Sequence, residues 1–116
     1  VSDASSLVER IRQQRSIKVP VGRWMFHARR PTDIEAGELY RERATSGAMA
    51  IRFVSGWEGL RMLDLVGGED ETPVEFDRAV WEEWVVDQPD VYKAIGDKIM
   101  EAYLEHADRQ KTDRKN

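Results

Sequence analysis

The chain is 116 residues long, 34% charged and 41% hydrophobic, with a formal net charge of −4. That length supports one domain with one modest core, and no apolar run approaches the roughly 20 residues of a membrane-spanning helix. Cysteine is absent, which excludes disulfide and thiolate chemistry and suits a reducing compartment.

The charge is polarised along the chain. Residues 1–30 carry seven basic side chains and two acidic ones, whereas residues 61–90 carry two basic and ten acidic ones. A chain of this kind can pair its own halves, stack on copies of itself or meet two partners. Val1 to Ser6 has neither a basic start nor an apolar run, so no secretory signal is expected there.

Ser2 or Asp3 can cap a first helix to about Arg15, with a thin apolar stripe of Leu7, Val8 and Ile11. Ile17 to Val21 and Trp24 to Arg30 then alternate with a period of two around Gly22-Arg23, the pattern of a β-hairpin over about 17–30. Trp24, Phe26 and Ala28 share one face, and Arg23, Met25, His27 and Arg29 the other. Pro20 lacks an N–H and points to an edge strand. Thr32 with Glu35 forms a capping-box signature for a helix to about Thr45, with Ile34, Gly37, Tyr40 and Ala44 along one side.

Ser46-Gly47 is read as a break. Ala48 to Val54 follows as a buried helix, with a strand through Ile51 and Phe53 as the alternative. Gly56-Trp57-Glu58-Gly59 reads as a chain reversal defined by Gly56, Trp57 and Gly59, with the indole as a plug against helices on both sides and a recognition aromatic for a partner as the alternative. Leu60 to Val66 makes one or two helical turns, and Gly67 to Glu71 an acidic loop. Pro73 to Phe76 is extended, and Asp77 caps a helix with a stripe of Val80, Trp81, Trp84 and Val85. Pro89 opens the last helix, to about Gln110, with Val91, Ile95, Ile99, Ala102 or Tyr103, and His106 on one side. Gly96 within it predicts close contact with a neighbouring helix, since glycine there costs about 1 kcal/mol against alanine. The expected fold is mainly α with a small N-terminal hairpin (α+β), about five helices in one domain over 1–110, and a disordered polar tail at 111–116.

Chemistry is sparse. Neither His27 nor His106 has a second ligand at metal-binding spacing, and Glu69-Asp70-Glu71 lacks the ligand alternation of a calcium loop. Gly67-Gly68 is neither a P-loop nor a dinucleotide fingerprint, and Ser55 lacks the nucleophile-elbow glycines. No catalytic residue, metal or cofactor is expected, and the sequence argues against an enzyme. Arg23, Arg29 and Arg30 beside Trp24 and Phe26 suggest a single-strand nucleic-acid platform. The alternation turns aromatics and arginines to opposite sides and argues against it.

One wider pattern runs through residues 17–107. An aromatic- and arginine-rich strand leads into Arg29-Arg30-Pro31-Thr32-Asp33. Phe53-Val54-Ser55-Gly56-Trp57-Glu58-Gly59-Leu60, Asp64-Leu65, the acidic glycine loop, Pro73-Val74-Glu75-Phe76-Asp77 and a final helix with Tyr103 follow. This resembles the small tail assembly chaperones of long-tailed bacteriophages and prophages. The resemblance implies a protein of the bacterial host's cytoplasm, left out of the mature virion. It would bind the tape-measure protein, keep it soluble and help recruit tail-tube subunits. It offers no catalytic residues, and the polarised charge adds self-association along a long client as an expectation. A holdase needs apolar surface, and the hairpin, through Trp24, Phe26, Arg23, Arg29 and Arg30, together with the outer helices, is the expected partner-binding face. The alternatives are a structural head–tail or tail component of the particle and a nucleic-acid-binding regulator using Arg23, Arg29 and Arg30.

Overall fold

A computed structural model describes residues 3–115. Its order is α1 (Ala4–Gln13), β1 (Ser16–Val21), β2 (Trp24–Arg29), α2 (Asp33–Glu42), α3 (Ser46–Phe53), β3 (Val54–Glu58), α4 (Met62–Val66), α5 (Arg78–Val85) and α6 (Pro89–Lys115). The α-rich α+β class and the hairpin are as the sequence predicts. The hairpin also acquires a third strand, giving an antiparallel sheet in the order β1-β2-β3.

That third strand corrects the reading of Gly56-Trp57-Glu58-Gly59. Gly56 and Trp57 are strand residues, with Phe26 opposite Trp57 and His27 opposite Gly56. The reversal is left to Gly59 alone, at φ 94. A Cβ on Gly56 would stand 3.3 Å from the His27 ring, so this glycine lets a cross-strand side chain lie flat and does not break the chain. A register shift between His27 and Ala28 absorbs the extra residue of β3. The plug reading of Trp57 holds: its ring is 7% exposed, its Nε1 donates to the Val74 carbonyl at 2.7 Å, and Phe76 packs edge-on at 4.9 Å.

The core lies between the inward face of the sheet and helices α3, α5 and α6. Trp81, fully buried, touches the rings of Phe26, Trp57 and Trp84, and its Nε1 donates to the Ala50 carbonyl at 3.3 Å. Trp24 closes the cluster edge-on to Trp84, with centroids 5.7 Å apart. Such aromatic pairs add about 0.5–1.5 kcal/mol each beyond area burial. The α5 stripe of Trp81, Trp84 and Val85 is buried as its spacing predicts, with Val80 partly so.

Helix α3 begins at Ser46, capped by Thr45 (Ala48 N–H to Thr45 Oγ1, 3.1 Å). Ser46 and Gly47 are therefore its first turn and no break. The helix passes into β3 without a loop, because Val54 adopts extended backbone and a β-branched residue favours that region. The stranded α3 carbonyls are taken by the Arg78 guanidinium, which donates to the oxygens of Ile51, Arg52 and Val54. Helices α3 and α6 meet at the predicted glycine: a Cβ on Gly96 would lie 2.6 Å from Ser46 Cβ and 2.7 Å from Ser46 Cα.

Three further expectations change. In α2 the buried residue is Leu39, which lies off the predicted side; of that side Ala44 packs against the core, whereas Ile34 and Tyr40 are 78% and 87% exposed. Helix α6 runs through Lys115, so the tail expected to be disordered is helical over residues 111–115, a stretch without glycine or proline. His106 consequently sits within the helix, away from its C-terminus, 3.4 Å from Asp33. Asp3 caps α1, accepting from the Ser6 N–H at 2.8 Å, while Ser2 and Asn116 lie outside the described residues. No helix among the described residues is long and apolar enough to cross a membrane.

Candidate functional site

The residues expected to meet a partner do not form one surface. Phe26 is fully buried, which removes it from any partner face. Trp24 is half-buried against Phe26 and Trp84. Both belong to the core because the sheet lies directly on α5. Arg23 is exposed at the hairpin turn. Arg29, on the opposite face of β2, donates to both oxygens of Glu35 at 2.7 and 2.8 Å. Arg30 leaves the strand and donates to the Pro31 carbonyl; burial and the neighbouring Arg15 charge push its pKa down.

The surface that is open lies between α2 and α6. A groove of about 640 Å³ is lined by Ala36, Gly37, Leu39, Tyr40, Met49, Met100, Tyr103 and Leu104. Tyr40, Leu104 and Met100 stand 87%, 54% and 39% exposed along it. Gly37 contributes no side chain to this wall. Met100 can adapt to partners of different shape, while Met49 is buried beneath the groove. The groove lies within the usual ligand-site range of about 300–1,000 Å³, and its length along two helices suits the apolar side of a third. Sequence periodicity did find one wall of this surface: Gly37, Tyr40 and Ala44, placed along one side of the helix, line the groove. What periodicity cannot supply is which neighbour covers a stripe.

At one end the groove is fastened by Asp33. It accepts from the Tyr103 hydroxyl at 3.0 Å and from Gln110 at 3.2 Å, and these bonds, with the adjacent His106, hold its carboxyl below the usual range. Burial, with Asp33 alongside, pushes the Tyr103 phenol up. These three α6 side chains hold the far half of that helix to the start of α2 and keep the two walls in register.

A second feature gathers around Glu35. It completes the α2 capping box with Thr32 and takes guanidinium donors from Arg29 and from Arg52 at 3.2 Å. The Arg29 hydrogen bonds, foremost among the causes, bring its carboxyl down from 4.5 to about 2. Both guanidinia also lie over the Phe53 ring, at 4.7 and 5.1 Å. Beside this cluster, α1 has no buried residue, and Leu7, Val8 and Ile11 remain exposed. Among the described residues no group of His, Asp and Glu side chains is placed to hold a metal ion. The two histidines each face a single carboxylate, Glu58 and Asp33 respectively. Comparison of the chain with protein-family models, curated proteins and solved structures yields no match.

Proposed function

We propose that this protein is a phage tail assembly chaperone, acting in the bacterial cytoplasm, that binds the tape-measure protein, keeps it soluble and helps recruit tail-tube subunits. The observation that carries this reading is the exposed apolar groove between α2 and α6. An unpartnered groove on a small, highly charged domain is a place to cover apolar surface on another protein. Its shape suits a client whose apolar residues repeat along a helix, as in a long helical tape measure. The sequence resemblance over residues 17–107 supplies the identity of the client.

The test is co-expression with the long helical protein encoded downstream, followed by measurement of its soluble fraction. Wild type should raise that fraction, and the Y40E/L104E variant, altered only at exposed groove positions, should not. A client no more soluble with the wild-type chain than without it overturns the proposal. Recovery of the chain from purified virions would favour the structural-component reading.

A further inference from the structure

We propose that the cleft between α1, the Arg29 end of the sheet and α3 is a binding site for an acidic peptide segment, a run of Asp or Glu side chains offered by a protein partner. The proposal does not depend on the chaperone reading.

Five guanidinium groups converge there from four elements: Arg12 and Arg15 from α1 and its exit, Arg29 from β2, Arg52 from α3 and Arg78 from α5. Glu35 is the one carboxylate in the lining. Glu38 and Glu82 reach Arg52 and Arg78 from the rim, at 3.8 and 3.0 Å. Arg12 and Arg15 have no ion-pair partner among the described residues. This surplus of positive charge sits in a chain whose net charge is −4. Guanidinia held together repel one another, and an arriving anion relieves that repulsion.

The cleft shows what kind of anion it is built for. Glu35 is held by two parallel bonds from Arg29 and a third from Arg52, which is the fork geometry of carboxylate recognition. A partner carboxylate between Arg52 and the unpaired Arg12 and Arg15 would repeat that arrangement. The volume of about 420 Å³ accommodates more than one such side chain, and the floor of Ala28, Phe53 and Val54 is apolar, suiting a peptide's methylene groups. A nucleic acid is a poorer fit. The one aromatic ring in the lining, Phe53, is 2% exposed beneath Arg29 and Arg52, so no ring is presented for a base to stack on.

Because α1 buries nothing, an acidic segment spanning Arg12, Arg15 and Arg52 would also clamp this helix to the domain. Binding should therefore slow amide exchange in α1, which a purely superficial charge contact would leave unchanged.

The experiment uses the full chain and a fluorescein-labelled hexaglutamate peptide, followed by anisotropy at about 0.05 M salt, where screening is weak. Saturable binding is expected, with slowed exchange over residues 4–13. The R12E/R15E variant should weaken it at least about tenfold. The K93E/K111E variant, with the same change in net charge at exposed sites on α6, should stay within about twofold. Circular dichroism verifies that both variants fold. Absence of saturable binding, equal losses in the two variants, or unchanged α1 exchange would overturn the proposal. So would displacement of the peptide by equimolar inorganic phosphate, or tighter binding of a six-residue single-stranded oligonucleotide.

Discussion

Replacing Gly96 with alanine separates helix propensity from packing, because the two give opposite signs. In an exposed helix interior the change stabilises by about 1 kcal/mol. Here the new methyl carbon would stand 2.6 Å from Ser46 Cβ, 2.7 Å from Ser46 Cα and 2.8 Å from the Ser46 carbonyl oxygen. Carbon atoms in contact sit at about 3.5–4.0 Å, so α3 and α6 must part by about 1 Å. Two of the three obstructing atoms are backbone, which cannot rotate away. Helix α3 also feeds directly into β3, so its displacement disturbs the sheet. Overpacking of side chains costs about 1–3 kcal/mol, and a backbone collision at the upper end of that range outweighs the propensity gain. We expect a net loss of about 2 kcal/mol, equivalent to roughly 8–15 °C in Tm for a domain of this size. Urea unfolding of wild type and G96A, with m unchanged, measures it. The S46G/G96A double variant should recover less than half the loss, because Ser46 Cα and its carbonyl oxygen remain. A G96A protein as stable as wild type, or more so, would refute the close approach of these helices.

Glu35→Gln should lower stability by about 1–2 kcal/mol at neutral pH: the displacement from 4.5 to about 2 represents about 3 kcal/mol in full, reduced by the solvent exposure of Arg29 and Arg52. Since the folded value lies below the ordinary one, this stabilisation is complete above pH 4.5 and is lost as pH falls through 2; acid titration of E35Q should be flatter across that window. Trp57→Phe deletes the 2.7 Å bond to the Val74 carbonyl and should cost about 1–2 kcal/mol. It should also speed exchange of the Val74 amide, which donates to Leu60; no change in either would refute the anchoring role. Removal of residues 1–13 should leave Tm within about 3 °C of wild type, as α1 contributes no buried residue, and a large drop in a thermal melt would show that α1 is docked.

Much of the fold was legible in the sequence, for reasons specific to each segment. The hairpin, the Thr32–Glu35 box, the Asp77 cap and the Trp81/Trp84 stripe are local patterns whose chemistry is satisfied within a few residues. Gly96 was legible because a glycine that weakens its own helix needs a reason nearby. The misread segments are those whose role is set across the chain. Gly56 and Gly59 carry identical residue types, but one faces His27 across a sheet and the other makes the turn. Ile34 and Tyr40 obey helical periodicity, yet Leu39 is the side chain that finds a neighbour. One wall of the α2–α6 groove was legible as a side of α2, but its opposite wall and the arginine cleft were not, for the same reason. Arg12 and Arg78 are 66 positions apart in sequence, and only the register of α3 and β3 brings their surroundings together.

The sheet has a consequence for the kind of partner this protein can take. Three strands leave two free edges, and such edges commonly recruit a strand from another chain. On β1, Pro20 removes one N–H donor from the ladder and Lys18 adds a charge. On β3, the Val54 carbonyl is already occupied by Arg78, and the strand ends after five residues at the Gly59 reversal. Both margins thus discourage strand addition. A partner would therefore have to be met by side chains and not by an added strand, and the same features keep copies of the sheet from polymerising edge to edge.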